Sequence, residues 1–150
     1  MDLNGTLAVS ATALRAERLR LDVIASNLAN ANTTRTVEGG PYRRRNVVFA
    51  TQPLENDFAA TLDAVSDPFA EDGVRQGVAV SDVIDDTSPP RMVFDPGHPD
   101  ANKEGYVAYP NVNPVAEMVD LMAATRAYEA NVQAVNASRR MAEAALAIGG

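Results

Sequence analysis

Cysteine and tryptophan are absent from the 150 residues, and tyrosine and phenylalanine number only four each. Without cysteine the chain has no disulfide, no thiolate nucleophile and no Cys-ligated metal. The aromatic shortage weighs against an ordinary compact globule, in which each buried aromatic removes roughly 150–250 Å² from water. Hydrophobic residues still make up 46% of the chain, but much of that share is alanine, which suits helices that pack closely. No run approaches the roughly 18 apolar residues of a membrane-spanning helix. The N-terminus, MDLNGTLAVSATALRAERLR, has no basic stretch leading into an uninterrupted apolar core, so it does not read as a cleaved signal peptide. On that reading the N-x-[ST] triplets at Asn4, Asn32 and Asn136 are chance occurrences. A net charge of −7 leaves no basic excess for nucleic acid.

Proline and glycine are missing from particular places. All nine prolines lie between Pro41 and Pro114, and neither residue type occurs between Thr6 and Arg35. Charge is partitioned in the same way. Residues 1–36 and 111–150 are close to neutral, and the acidic excess sits in 37–110. The composition therefore divides the chain into an N-terminal helical segment (1–36), a β-rich insert (37–110) and a C-terminal helical segment (111–150).

Leu7, Leu14, Leu21 and Leu28 recur every seven residues, with Ala11, Ile24 and Ala25 between them. This spacing predicts an amphipathic helix from Leu3 to about Ala31 with a coiled-coil-like seam. A second helix is predicted from Asn113-Pro114, where Asn caps and Pro suits the first turn, to Gly149-Gly150. Glu117 falls at its dipole-favoured end. Met118, Leu121, Thr125, Tyr128, Val132, Val135 and Ala142 follow spacings of about three and four. Between the helices, strands are predicted at 42–49, 77–84, 91–94 and 106–109, with turn-forming clusters separating the later ones. The acidic, weakly periodic stretch 54–77 reads as a mobile loop. The predicted fold is α+β: long terminal helices pack as a coiled-coil-like pair around a β-rich, loop-containing middle. Such a pair is thin and leaves apolar stripe uncovered, which points to completion by other subunits.

Few residues offer chemistry. Asp95, His98 and Asp100 in DPGHPD are suitable metal ligands, but two prolines and a glycine around them favour a structural turn. Arg43, Arg44 and Arg45 form the only basic run. Alternation along a strand divides them between faces, so a solvated strand or a salt bridge to an acidic neighbour is favoured over phosphate binding. No catalytic, cofactor or metal site is expected. The asparagines of ASNLANANTT raise a separate question, since Asn is a poor helix former. Asn27 and Asn30 share a face beside Leu21 and Leu28, and so are candidate register locks between helices. Asn131 and Asn136 are candidate partners. Asn32 and Thr33 fall where the helix must stop.

LDVIASNLANANTT resembles the N-terminal signature of bacterial flagellar rod and hook axial proteins, and VAEMVDLMAATRAYEANVQAVNASRRM resembles the family's C-terminal helix. YRRRNVVFATQ and SPPRMVFDPGHPDANKEGYVAYPNVN are similar to rod subunits in particular. The resemblance spans nearly the whole chain apart from residues 54–77. It implies a non-enzymatic subunit of the proximal rod, exported by the flagellar type III apparatus without a cleaved signal and located in the periplasm. It also implies helical polymerisation, with the terminal helices forming an inner tube. The implied partners are other copies, the rod proteins FlgB, FlgF and FlgG, and the export-gate adaptor FliE. The implied interface positions are Leu21, Asn27, Leu28, Asn30 and Thr33, then Met118, Arg126, Tyr128, Asn131 and Asn136. Stripe periodicity adds Leu7, Leu14, Ile24, Leu121, Val132 and Val135. Rival readings are another rod subunit, or a soluble coiled-coil adaptor that presents the insert to a ligand.

Overall fold

The computed structural model describes residues 3–54 and 76–149, with side chains at 5–54 and 76–147. The acidic stretch read as a mobile loop falls, from residue 55 to 75, outside the described residues. Helix α1 spans Leu3–Ala29 and helix α2 spans Pro114–Gly149. Between them come β1 (Arg45–Pro53), β2 (Gln76–Asp85), β3 (Arg91–Phe94) and β4 (Tyr106–Tyr109). β1 pairs with β2 and β3 with β4, giving two two-stranded sheets. The fold is α+β, with the two long terminal helices packed together around the β insert. Among the described residues no helix is long and apolar enough to cross a membrane.

α2 is helical because it lacks interior Gly and Pro and is rich in Ala, and Asn113 caps it. The Asn113 side-chain oxygen accepts from the Val115 N–H at 3.0 Å and the Ala116 N–H at 3.4 Å, which satisfies two otherwise orphan donors. Its inward face follows one strict pattern: Glu117, Leu121, Ala124, Tyr128, Asn131, Val135, Ser138 and Ala142 are buried or half-buried, alternately four and three residues apart. That is heptad spacing, although its buried members are mostly small or polar. On α1 the deepest positions are Ala16, Ile24 and Asn27, followed by Ala31 just beyond the helix. The heptad leucines lie beside this line and are half-buried. Small side chains at the deepest positions let backbones approach closely, and the larger leucines flank the contact.

Two compact units emerge, each taking a stretch of both helices and part of the insert. One comprises 1–18, 49–81 and 127–150. In it β2 meets α1 at Thr12. The Val78 N–H donates to the Thr12 hydroxyl at 3.1 Å, while that hydroxyl donates to the Val9 carbonyl at 2.7 Å. Gly77 permits this approach, since a Cβ there would lie 2.7 Å from Thr12 Oγ1 and 3.1 Å from Leu54 Cδ2.

The other unit comprises 19–48 and 82–126. It contains the antiparallel β3–β4 hairpin, with Arg91 opposite Tyr109 and Phe94 opposite Tyr106. Alternation buries Val107 completely, and Pro110 and Val112 continue that anchor. The connection 95–105 is a chain of turns. The Asp95 carboxylate accepts from the Gly97 N–H at 3.2 Å, His98 Nδ1 accepts from the Asp100 N–H at 3.1 Å, and the Asn102 side chain accepts from the Tyr106 N–H at 2.8 Å. Gly105 has φ 81°, and a Cβ there would come within 2.8 Å of the Phe94 ring. Asp100 also receives the Thr34 hydroxyl at 2.8 Å, so the loop is tied to the segment that leaves α1.

Replacing Gly77 by Ala puts a methyl against Thr12 and Leu54. We expect the overpacking to destabilise the chain by about 1–3 kcal/mol, read as a lowered thermal midpoint in circular dichroism. An unchanged midpoint would show that the β2–α1 contact yields freely.

Candidate functional site

The most constrained place among the described residues is where the end of α1 meets the start of α2. Asn27 is 1% exposed, and its amide meets both polar groups of one strand residue. Its Nδ2 donates to the Arg45 carbonyl at 2.9 Å, and its Oδ1 accepts from the Arg45 N–H at 2.9 Å. The second Nδ2 proton goes to Glu117 Oε2 at 3.1 Å, and the second Oδ1 lone pair takes the Tyr42 hydroxyl at 2.9 Å. An amide has two donors and two acceptor sites, and all four are used.

Glu117 is fully buried. A buried carboxylate requires compensation, and three sources surround this one. Arg44 Nε donates to Oε1, Asn27 donates to Oε2, and the first turn of α2 presents its positive dipole end. Arg44 is fixed in turn by Asn46, which accepts from Nη1 at 2.6 Å, and by Asp120, 3.5 Å from Nη2. The pairing places Arg44 on the α2 side of the chain, while Arg45 reaches Asp85 on β2 at 3.4 Å. Alternation thus divides the basic run as strand geometry requires, and the salt bridge to an acidic neighbour is the role Arg44 takes.

The other expected positions lie as follows. Asn30 closes the helix end: its Nδ2 donates to the Ser26 carbonyl at 2.9 Å and its Oδ1 accepts from the Thr33 hydroxyl at 3.1 Å. Ile24 is buried, while Leu7, Leu14, Leu21, Leu28, Leu121, Tyr128, Asn131, Val132 and Val135 are half-buried. Met118, Arg126 and Asn136 are exposed. The partners that α2 and the insert provide for Asn27 are Glu117 and the Arg45 backbone, in place of the expected Asn131 and Asn136. The amide therefore sets register inside the chain, between α1, β1 and α2. Sequence reasoning missed Tyr42 and the convergence of Arg44 with Glu117. The available signal was an acid at the first turn of α2, on the face that also carries Leu121, Tyr128 and Val135. The three potential ligands in DPGHPD serve turns and the Thr34 tie, and no metal-holding group of three such side chains occurs among the described residues.

The exposed faces form a second feature. Val115, Met118, Val119 and Met122 are each half or more exposed on α2, on the side opposite Glu117 and Ala124. Their spacing of three and four makes them one stripe.

Helical ends of this kind belong to a recognisable class. Residues 7–35 match the family model described as flagella basal body rod protein, and residues 103–148 match that of the flagellar basal body rod FlgEFG protein C-terminal. The chain is 45% identical to the flagellar basal-body rod protein FlgC of Borreliella burgdorferi over 99% of its length and 98% of the relative's. Identity to FlgC of Bacillus subtilis is 47%, covering 96% of each chain. Identity to FlgC of Salmonella typhimurium is 38%, covering 99% of each. The chain belongs to the FlgC family of flagellar basal-body rod proteins. It is a structural subunit of the rod.

Three substitutions test the polar junction. Asn27→Leu strands the Arg45 backbone groups, the Tyr42 hydroxyl and one oxygen of Glu117, and is expected to cost at least ~3 kcal/mol in urea unfolding. Arg44→Met leaves the Glu117 carboxylate buried without its cation, an expected loss of about 3–5 kcal/mol. Adding Glu117→Gln to Arg44→Met removes the uncompensated charge and is expected to recover more than half of that loss. A double variant no more stable than Arg44→Met would contradict this account of the junction.

Proposed function

We propose that the chain polymerises helically through its terminal helices, which build the wall of the drive shaft and of the export channel within it. The observation that carries this reading is the outward stripe of α2. The helix commits one face to its own chain through the 117–142 seam and leaves large apolar side chains on the other. Exposed apolar stripes of this kind mark protein contacts. The proposed interface comprises Leu7, Leu14, Leu21, Ile24, Leu28, Asn30 and Thr33 on the α1 side, with Met118, Arg126, Val132 and Asn136 on α2; Leu121, Tyr128, Asn131 and Val135 also line the chain's own seam, where they are half-buried, and would offer neighbours only the part left exposed. Asn27 contributes by holding the two helices in register. Proposed neighbours are further copies, the rod proteins FlgB, FlgF and FlgG, and the adaptor FliE. Passage through the flagellar type III apparatus brings the chain to the periplasmic rod, and the Cys-free composition suits that route.

A shaft must transmit torque, and small residues on heptad spacing with a fully bonded polar junction resist sliding of one helix along another. Stiffness thus comes from within the subunit, while assembly draws chiefly on the outward face of α2.

Met118→Glu and Val119→Glu place charge on the stripe without touching the seam. Stability is expected to stay within about 0.5 kcal/mol of the parent, as for surface changes elsewhere. Bacteria carrying either variant in place of the native chain are expected to lose swarming, with the subunit missing from isolated basal bodies. Normal rods containing both variants would refute assembly through this helix.

A further inference from the structure

Several turns of this chain are closed in one way, by a side chain that accepts from the backbone N–H two residues on. Asp86, Asp95, Asn102 and Asn113 do this with an oxygen, accepting from Ser88, Gly97, Glu104 and Val115. His98 builds the same turn with a ring nitrogen, Nδ1 accepting from the Asp100 N–H at 3.1 Å. A backbone N–H can only donate, so the bond requires Nδ1 to be bare and the ring proton to sit on Nε2. An amide or carboxylate oxygen keeps accepting through the range from about pH 5 to 8, whereas imidazole changes charge within it. The second proton goes to Nδ1 and sets two donors against each other.

The position of Asp100 depends on this bond. Its carboxylate receives the Thr34 hydroxyl at 2.8 Å and lies 3.8 Å from the Arg35 guanidinium, both on the segment leaving α1. Arg35 is largely exposed, so its contact is weak and the hydroxyl bond is the tie. His98 and Asp100 are both half-buried, which limits how far water can replace a lost partner.

The groups around the ring favour its departure once charged. Tyr109 of β4 meets it edge to face at 6.2 Å, and the Arg91 guanidinium of β3 lies 5.7 Å from the centroid of the same phenol ring. A charged His98 thus shares Tyr109 with an existing cation. Asp95 and Asp100 flank it in the connection, Lys103 and Glu104 follow further along, and Arg35 stands on the α1 side. The two carboxylates offer an imidazolium the acceptor that the Asp100 N–H cannot be.

We propose that His98 is a proton-sensitive latch. Its neutral ring holds Asp100 on Thr34 and so fixes the β3–β4 connection to the exit of α1; protonation in mild acid releases that tie. The tie is present while the ring is neutral and is lost as pH falls through the ring's titration. All the groups involved lie in one unit of the chain, so the latch does not depend on how copies assemble.

NMR of the isotope-labelled full chain, from about pH 8 to about pH 5, tests the latch across the imidazole range. Loss of one hydrogen bond is expected to lower protection of the Asp100 N–H from hydrogen exchange by roughly fivefold beyond the intrinsic pH trend. The Thr34 methyl resonance is expected to move with the same midpoint as the His98 ring protons. His98→Asn keeps an acceptor for this turn, as at Asn102 and Asn113, but takes up no proton; its Asp100 and Thr34 signals are expected to stay level. Three results overturn the inference: a ring that titrates while Asp100 protection and Thr34 hold steady, a midpoint well below that of the ring, which assigns the change to the carboxylates, or the same loss in acid in His98→Asn. The first two are read on the unaltered chain, so they decide the matter whatever the variant does to folding.

Discussion

Everything in the unit that joins the helices to the insert depends on keeping one carboxylate, that of Glu117, out of water. A buried charge is unstable unless it is bonded on all sides, and here the bonds come from three separate parts of the chain. Arg44 supplies the cation, Asn27 supplies an amide proton, and α2 itself supplies the dipole end. Because Asn27 also grips both backbone groups of Arg45, the same few atoms fix where β1 begins and how far α1 lies along α2. A slip of one residue on either helix would leave several of these groups unpaired. An apolar contact of the same area would tolerate such a slip far better. A junction of this kind favours one register over its neighbours, the best-attested use of buried polar groups in helix seams.

The remainder of the helix pair is consistent with that requirement. The seam of α2 is built from alanine, serine, asparagine, tyrosine and a few aliphatics, so close approach of backbones replaces bulk. Larger side chains that would fill the core of a globule stand instead on outward faces, at Met118, Val119, Met122, Met92 and Phe94. A rod subunit can use such a division. The inward faces hold each copy together, and the outward faces carry exposed apolar side chains. The hairpin follows the same plan at smaller scale, with a buried valine face and an exposed aromatic one.

Family membership and physical reading meet at these faces. The relatives define a basal-body rod subunit, and the structure adds which side chains are engaged within the chain and which stand exposed. Asn27 lies in the stretch by which the sequence resembles axial proteins, and its four hydrogen bonds are all made within the chain. Part of a signature shared across an assembly family can therefore reflect the folding of the subunit.

The sequence by itself determined the element plan. Leucine and alanine periodicity, the freedom of 6–35 from Gly and Pro, and the Asn113-Pro114 start located two long helices. Alternation and turn residues located strands at 91–94 and 106–109 at the observed residues, and at 42–49 and 77–84 within a few. These signals are local, because helix and strand are set by neighbours three or four residues away, or two. The partners of Asn27 were decided only by the tertiary structure. Asn131 and Asn136 were reasonable candidates by residue type, but the amide meets Glu117, 90 positions away, and a strand backbone whose sequence carries no mark of the contact. The leucine heptad likewise predicted the face of α1 but not that Ala16, Ile24 and Asn27 would lie deepest. Depth depends on how closely two backbones approach, and that distance is a property of the packed pair that neither helix encodes alone.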